Sequence, residues 1–218
     1  MNIINKARFS LTSLAAAMLM LASASASAVT VDPGTVRLLP GTTAAAEPWL
    51  AGTVLVDQLT SVSFGDLSAT VQERVVKETS TGYLDFYWRI SDVSRGLNIS
   101  SFQLTSFAFG AYDANYRSTD GLGSRGPTAL DRFLVSAAND ANFLFLLPVN
   151  STHDSKFFFL HTTATQYDES AFFDLATNRG KSSVFATFAP AVPEPETYAM
   201  MLAGLGMVGF MARRRRRA

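Results

Sequence analysis

The side chains that could carry acid–base or metal chemistry are few in this chain. It contains two histidines, His153 and His161, and no cysteine. Asp154 follows the first histidine and serines are plentiful, but neither the G-x-S-x-G turn of hydrolases nor the zinc-binding H-E-x-x-H motif occurs. His161 alternates with Phe157 and Phe159, so we interpret it as a strand residue near the edge of the core. No catalytic residue, metal site or cofactor is predicted, and we expect the protein not to be an enzyme.

Paired carboxylates are the remaining route to catalysis. The candidates are Asp85, Asp168, Glu169 and Asp174. Two carboxyl groups at a suitable separation can hydrolyse a glycosidic bond. Sequence spacing alone does not pair these four, so a secreted hydrolase is kept as a minor alternative.

The longest irregular stretch, residues 110–127, is the expected place for a binding site, because loops on a rigid β framework commonly carry such sites. Its aromatic and oxygen-bearing side chains form a speculative ligand loop of Tyr112, Asp113, Asn115, Tyr116 and Asp120. Tyrosine rings can stack on sugars, which makes a carbohydrate-binding module the main alternative function. The loop lacks the ligand spacing of an EF-hand, and a calcium site of another geometry is left open.

The same stretch contains a literal G-x-G-x-x-G formed by Gly121, Gly123 and Gly126. A dinucleotide fingerprint must follow a strand and open a helix in a βαβ unit. Pro127 follows here and no parallel-sheet pattern surrounds it, so we reject a dinucleotide site.

These candidate residues lie in a region whose apolar pattern has a period of two, as in half-buried strands. The clearest case is residues 83–90, where Leu84, Phe86, Trp88 and Ile90 share one face. Other candidate strands are 53–57, 61–64, 67–75, 99–109, 143–147, 156–162, 171–175 and 183–188. Only 128–138 has a helical stripe, and a short helix there is left open. We predict an all-β fold, an antiparallel β-sandwich of the jelly-roll type.

The N-terminal segment, residues 1–28, is typical of a cleavable secretory signal peptide. Lys6 and Arg8 precede an apolar run over 9–21, and alternating alanine and serine follow. Cleavage is expected after Ala28, with the bond after Ala26 nearly as favourable. The expected partners of this helical segment are the secretion translocon and signal peptidase.

The C-terminal segment, residues 193–218, combines a Pro-Glu-Pro signal, an uncharged apolar stretch over 198–212 and an arginine cluster. A helix over 198–212 would be about 22 Å long, which is short for a membrane core of about 30 Å. We predict a C-terminal transmembrane helix with the arginines on the cytoplasmic side, and a permanent anchor is the alternative reading. The signal residues are Val192, Pro193, Glu194, Pro195, Glu196 and Thr197, and the arginines are Arg213, Arg214, Arg215, Arg216 and Arg217.

This order of features resembles the PEP-CTERM sorting signal of Gram-negative bacteria. The resemblance implies recognition by an exosortase, a membrane transpeptidase-like enzyme that would cut at or near Pro193–Pro195. It also implies export across the inner membrane, anchoring there before processing, and a final place at the cell surface or in the extracellular matrix. The tail is also known as the ice-binding-protein C-terminal domain, but the threonines of this chain form no regular array, so ice binding is not predicted.

The chain therefore divides into a signal peptide (1–28), an exported domain (29–192) and a sorting signal (193–218). The exported domain has 11 Lys and Arg against 16 Asp and Glu, a net charge of −5. This acidic balance argues against nucleic-acid binding, which needs a clustered cationic surface. We predict a non-enzymatic surface or matrix protein connected with exopolysaccharide or biofilm.

Overall fold

The computed structural model describes residues 27–107, 112–132, 140–191, 201–205 and 207. The regular elements described between residues 27 and 191 are β-strands, apart from one short 3-10 helix. In chain order the elements are β1 (Val29–Val31), β2 (Val36–Leu38), a 3-10 helix (Pro48–Leu50), β3 (Gly52–Phe64), β4 (Leu67–Glu78), β5 (Leu84–Ser91), β6 (Asn98–Thr105), β7 (Tyr112–Tyr116), β8 (Ala129–Asp131), β9 (Ala141–Asn150), β10 (Phe158–His161), β11 (Tyr167–Thr177), β12 (Gly180–Lys181) and β13 (Phe185–Pro190).

The strands of the described residues form two antiparallel sheets. The first sheet has the order β1-β7-β10-β5-β4-β3, and the second has the order β12-β11-β6-β9-β8-β2, with β13 also paired to β11. The predicted all-β class with antiparallel sheets is confirmed. The strand predicted over 83–90 is β5, and its four apolar residues on one face are all buried.

The two sheets pack face to face around Trp88 of β5. Its ring centroid lies 5.6 Å from that of Phe102 and 6.4 Å from that of Phe143, both in the second sheet. Phe158 of β10 adds a contact of 4.7 Å to Phe143. This dense aromatic layer is the expected filling of a sandwich core without disulfides.

A carboxyl group, Glu73 of β4, is buried within this core. The hydroxyl of Thr60 donates to Glu73 Oε1 at 2.8 Å, and that of Thr187 donates to Oε2 at 2.5 Å. Trp88 Nε1 in turn donates to Thr187 Oγ1 at 2.9 Å. Burial raises the pKa of Glu73 above its ordinary value, although the two hydroxyls oppose the shift. A polar chain thus joins the two sheets through β13.

The first sheet is also covered on its outer face. The segment that carries the 3-10 helix crosses this face and buries a small second cluster of apolar side chains, in which the rings of Tyr87 and Phe159 lie 5.1 Å apart. The buried members of this outer cluster are Leu50, Val76, Tyr87, Phe157 and Phe159, and Trp49 and Ala28 pack against them. The outer face of the first sheet is therefore covered in part, over β5 and β10.

The residues just before β1 dock onto this covering segment. The Ala28 N–H donates to Glu47 Oε1 at 2.8 Å, and Asn115 Nδ2 donates to the carbonyl of Ser27 at 3.1 Å. Trp49 Nε1 donates to the other oxygen of Glu47. Glu47 thereby ties the N-terminal end of the described fold to the segment that covers the sheet.

Two stretches that were assigned to a loop or to a possible helix are strands in the structure. Residues 112–116, assigned to a long loop, form β7 between β1 and β10. Residues 129–131, within the stretch where a short helix was left open, form β8. In both places pairing with distant strands outweighs weak local preference.

The two predicted terminal segments lie largely outside the described residues. This holds for residues 1–26, including Ala26, for the signal residues Val192–Thr197, and for the arginines Arg213–Arg217. Of the apolar stretch 198–212, residues 201–205 and 207 are helical and exposed. Within the described part of the chain, no helix has both the length and the apolar character needed to cross a membrane.

Candidate functional site

Strand pairing places three titratable side chains in one row on the outer face of the first sheet. Asp85 of β5 is the register partner of His161 of β10, and His161 is also the partner of Asp113 of β7. Directly opposed residues of antiparallel strands lie on the same face with their Cβ atoms about 5 Å apart. The topology therefore gathers groups that are far apart in sequence.

Glu78, at the end of β4, completes what we call the carboxylate–histidine cluster: Glu78, Asp85 and His161. Nδ1 of His161 lies 2.7 Å from Glu78 Oε1 and 2.8 Å from Asp85 Oδ1. Both carboxylate side chains have no solvent exposure, whereas the His161 side chain is 19% exposed. The cluster is thus a buried pair of acids with a partly accessible imidazole.

Neighbouring side chains orient each member of the cluster. Thr81 Oγ1 donates to Glu78 Oε2, and the Tyr87 hydroxyl lies 3.5 Å from Asp85 Oδ2. The indole of Trp49 packs against His161 with a centroid distance of 4.3 Å. Thr30 of β1 donates to the adjacent Asp113 carboxylate at 2.5 Å. These contacts hold the donor atoms of the cluster in a convergent arrangement.

Burial and neighbouring charges shift the pKa values of Asp85 and His161. Burial raises the pKa of Asp85 to about 6; the hydrogen bond with His161 opposes this shift, and the nearby Glu78 adds to it. Burial alone would lower the pKa of His161, but the hydrogen bond with Asp85 and the surrounding negative charges raise it overall. The arrangement can therefore retain a proton or another cation between its oxygens.

A cleft of about 290 Å³ lies next to the cluster on the same face. Arg74 lines it with its guanidinium 4.4 Å above the Phe157 ring and 2.9 Å from Asp57, and Arg117 Nη1 lies 3.5 Å from the Leu50 carbonyl. The lining residues are Leu50, Gly52, Val54, Arg74, Val76, Tyr87, Arg117, Asp120, Leu122 and Phe157. Two cations, one carboxylate and aromatic edges therefore meet in one depression.

The five residues of the speculative ligand loop do not lie together. Tyr112 is buried with the Arg132 guanidinium 4.2 Å from its ring, and Asn115 is buried beside the N-terminal end. Tyr116 is half-buried against glycine backbone, Asp113 joins the row beside His161, and Asp120 lines the cleft. Strand alternation in β7 sends successive side chains to opposite faces, which separates them.

The other chemical candidates are also dispersed. Asp168 and Glu169 are exposed on β11, and Asp174 lies 3.5 Å from Lys181 Nζ. His153 lies in a turn, where its ring contacts Thr152. Of the four carboxylates considered for glycosidic chemistry, Asp85 alone belongs to the cluster. Glu78 was not selected in the sequence analysis. Its position seven residues before Asp85, across a predicted hairpin turn, could have indicated that the two side chains lie close together.

The C-terminal part of the chain provides the match to known proteins. Residues 191–217 match the family model of the PEP-CTERM protein-sorting motif. The chain carries a PEP-CTERM sorting signal. A PEP-CTERM signal implies export and processing by an exosortase, and this one starts directly after β13, which ends at Pro190. No curated protein and no solved structure matches the chain.

Proposed function

We propose that this chain is an exported, non-enzymatic surface or matrix protein, anchored in the inner membrane by its C-terminal segment until an exosortase removes it. Before this step, the translocon exports the chain and signal peptidase removes the N-terminal segment. The released β domain associates with exopolysaccharide in a Gram-negative envelope or biofilm. The observation that carries the proposal is the sorting motif matched over residues 191–217.

Two features of the folded domain suit a protein that is exported from the cytoplasm. It contains no cysteine that oxidation could modify, and a dense two-sheet core stabilises it without disulfides. Its net charge of −5 over residues 29–192 disfavours adhesion to nucleic acid and to anionic lipid.

The test is the intact mass of the full chain expressed in a Gram-negative host with and without an exosortase, measured in the membrane fraction and in the medium. We expect a product that lacks the segment after Pro195 when the enzyme is present, and the full C-terminus when it is absent. The double variant Pro193→Ala/Pro195→Ala should keep its tail in both hosts. Pro33→Ala, an exposed proline outside the motif, is the matched control and should be processed normally. An unchanged C-terminus in the presence of active enzyme would refute the sorting function.

The cleft supports a second candidate function, recognition of an acidic sugar. Arg74 and Arg117 offer cationic donors to a carboxylate, Asp120 can accept hydroxyl hydrogen bonds, and a volume of about 290 Å³ accommodates one sugar ring. The carbohydrate-binding alternative from the sequence placed the sugar on the tyrosines of the loop. The present candidate places it in the cleft instead.

Calorimetric titration with uronate-containing and neutral oligosaccharides tests this candidate. We expect binding of the acidic sugars, weakened at least about ten-fold in Arg117→Gln and Asp120→Asn. Arg179→Gln, an exposed arginine outside the cleft, is the control. Equal affinity in all variants, or no binding by the parent protein, would remove sugar recognition from the cleft.

A further inference from the structure

We propose that the carboxylate–histidine cluster is a binding site for one divalent transition-metal ion, with Zn²⁺ as the best fit. Its ligands are Glu78, Asp85 and His161, which each offer one donor atom, and these atoms all lie within 4.8 Å of one another. One imidazole nitrogen with two carboxylate oxygens is a donor set that suits such ions. This site is independent of the sorting function and was not foreseen from the sequence.

Charge balance is the first argument for a cation. Two carboxylates without solvent exposure are costly to bury unless their charge is compensated. One positive charge on His161 would compensate only one of them, and Asp113, the register partner of His161, adds a further carboxylate on the same face. A divalent ion with a neutral imidazole compensates both buried carboxylates at once.

The number of available protons is the second argument. Nδ1 of His161 can carry one proton, yet two carboxylate oxygens lie 2.7 and 2.8 Å from it. His161 Nδ1 shares a hydrogen bond with Asp85 Oδ1, and Glu78 Oε1 is a buried oxygen that takes part in none. Buried polar atoms nearly always have a hydrogen-bond partner. Glu78 Oε1 faces His161 Nδ1, which already contacts Asp85, so a cation bound between these atoms would supply the partner that this oxygen lacks.

The surroundings have the features of an outer coordination shell. The second oxygen of Glu78 accepts from Thr81, the second oxygen of Asp85 faces the Tyr87 hydroxyl, and Trp49 fixes the imidazole plane. Such contacts orient ligands and strengthen metal binding. Tetrahedral coordination needs ligand atoms about 3.3 Å apart. The distances of 2.7 and 2.8 Å from His161 Nδ1 to the two carboxylate oxygens have to lengthen by only about half an ångström to meet this requirement. Ca²⁺ and Mg²⁺ fit less well, because they favour six or more oxygen ligands.

The experiment is isothermal titration of the full chain, freed of metal by a chelator and dialysed, with ZnCl₂ and in parallel with MgCl₂. We expect one Zn²⁺ per chain and no comparable Mg²⁺ binding. Glu78→Gln, Asp85→Asn and His161→Gln should each weaken Zn²⁺ binding by about 100-fold or more, since each removes one of three ligands. His153→Gln, which removes the other histidine, is the matched control and should bind as the parent does.

Thermal melts in chelator report whether each variant folds. Thr81→Ala, a substitution on the surface turn, leaves all three ligands in place and should weaken Zn²⁺ binding by about ten-fold, so it decides the matter if a ligand variant does not fold. No Zn²⁺ binding by the parent at about 100 μM free metal, far above the dissociation constants of structural zinc sites, would overturn the proposal and leave the cluster as a proton-sharing pair. Zn²⁺ binding that survives all ligand substitutions that fold, with Thr81→Ala binding as the parent, would also overturn it, as binding at an adventitious surface site.

Discussion

Replacing Thr187 by valine isolates the polar chain that joins the two sheets. The two side chains are nearly the same size, so the substitution removes a hydroxyl without opening a large cavity. That hydroxyl accepts from Trp88 Nε1 at 2.9 Å and donates to Glu73 Oε2 at 2.5 Å, in a place where Thr187 is 1% exposed. Thr187→Val therefore leaves a buried indole N–H without an acceptor and a buried carboxyl with one donor fewer.

The magnitude follows from these two losses. An unsatisfied buried donor costs about 1–3 kcal/mol, and loss of a hydrogen bond to a charged group costs about 1.5–3 kcal/mol. Because the two losses share one hydroxyl, we expect the free energy of unfolding to fall by about 2–5 kcal/mol. Urea denaturation of the chain ending at Ala191, followed by tryptophan fluorescence, measures it. Thr163→Val, at an exposed threonine, is the matched control and should change stability by less than about 0.5 kcal/mol.

A loss below about 1 kcal/mol for Thr187→Val would contradict this reasoning, because neither buried group would then depend on the hydroxyl. A change in the denaturant slope together with the midpoint would show that the substitution alters the denatured state or the cooperativity of unfolding instead.

Three further predictions concern other parts of the fold. Burial raises the pKa of Glu73, so the stability it confers is complete below the unfolded value near 4.5 and is lost as pH rises through the folded value. Glu73→Gln should therefore flatten the decline in unfolding free energy as the pH rises above about 4.5, and a decline equal to that of the parent would contradict this. Gly123→Ala should cost more than about 2 kcal/mol, because its φ is +65° and an added Cβ would lie 2.0 Å from a backbone oxygen, whereas Gly121→Ala, with open space around it, should cost less in the same thermal melts. A chain beginning at Val29 should be less stable to urea than one beginning at Ser27 by about 1–3 kcal/mol, since it loses two hydrogen bonds, and equal stabilities would show that these contacts do not hold the N-terminal end.

The sequence predicted a strand correctly where the alternation of apolar and polar residues within that strand is clear. The alternation of Leu84, Phe86, Trp88 and Ile90 identified β5 and the face it buries, because period-two burial is local information. It was uninformative where strands are short or polar. β7 contains two tyrosines, an aspartate, an alanine and an asparagine, and it becomes a strand through its pairing with β1 and β10.

The candidate site likewise combines residues that the sequence analysis selected with a contact that it could not predict. Asp85 and His161 were each noted from the sequence, but their contact joins residues 76 positions apart and depends on the register of β5 against β10. No local pattern encodes that register. The glycines of the rejected G-x-G-x-x-G have packing roles instead, since Gly123 lies against the backbone of Ser155 and Gly126 against the Tyr116 ring.

The position of β13 limits the clearance around the sorting signal. Its last residue, Pro190, still pairs with Tyr167 of β11, and residues 191 and 192 alone separate it from Pro193. An extended chain spans at most about 3.6 Å per residue, so the distance from Pro190 to Pro193 is at most about 11 Å. This is roughly the diameter of one helix. An exosortase that recognised this signal would therefore have to accommodate the folded domain next to its active site, or act before β13 pairs with β11.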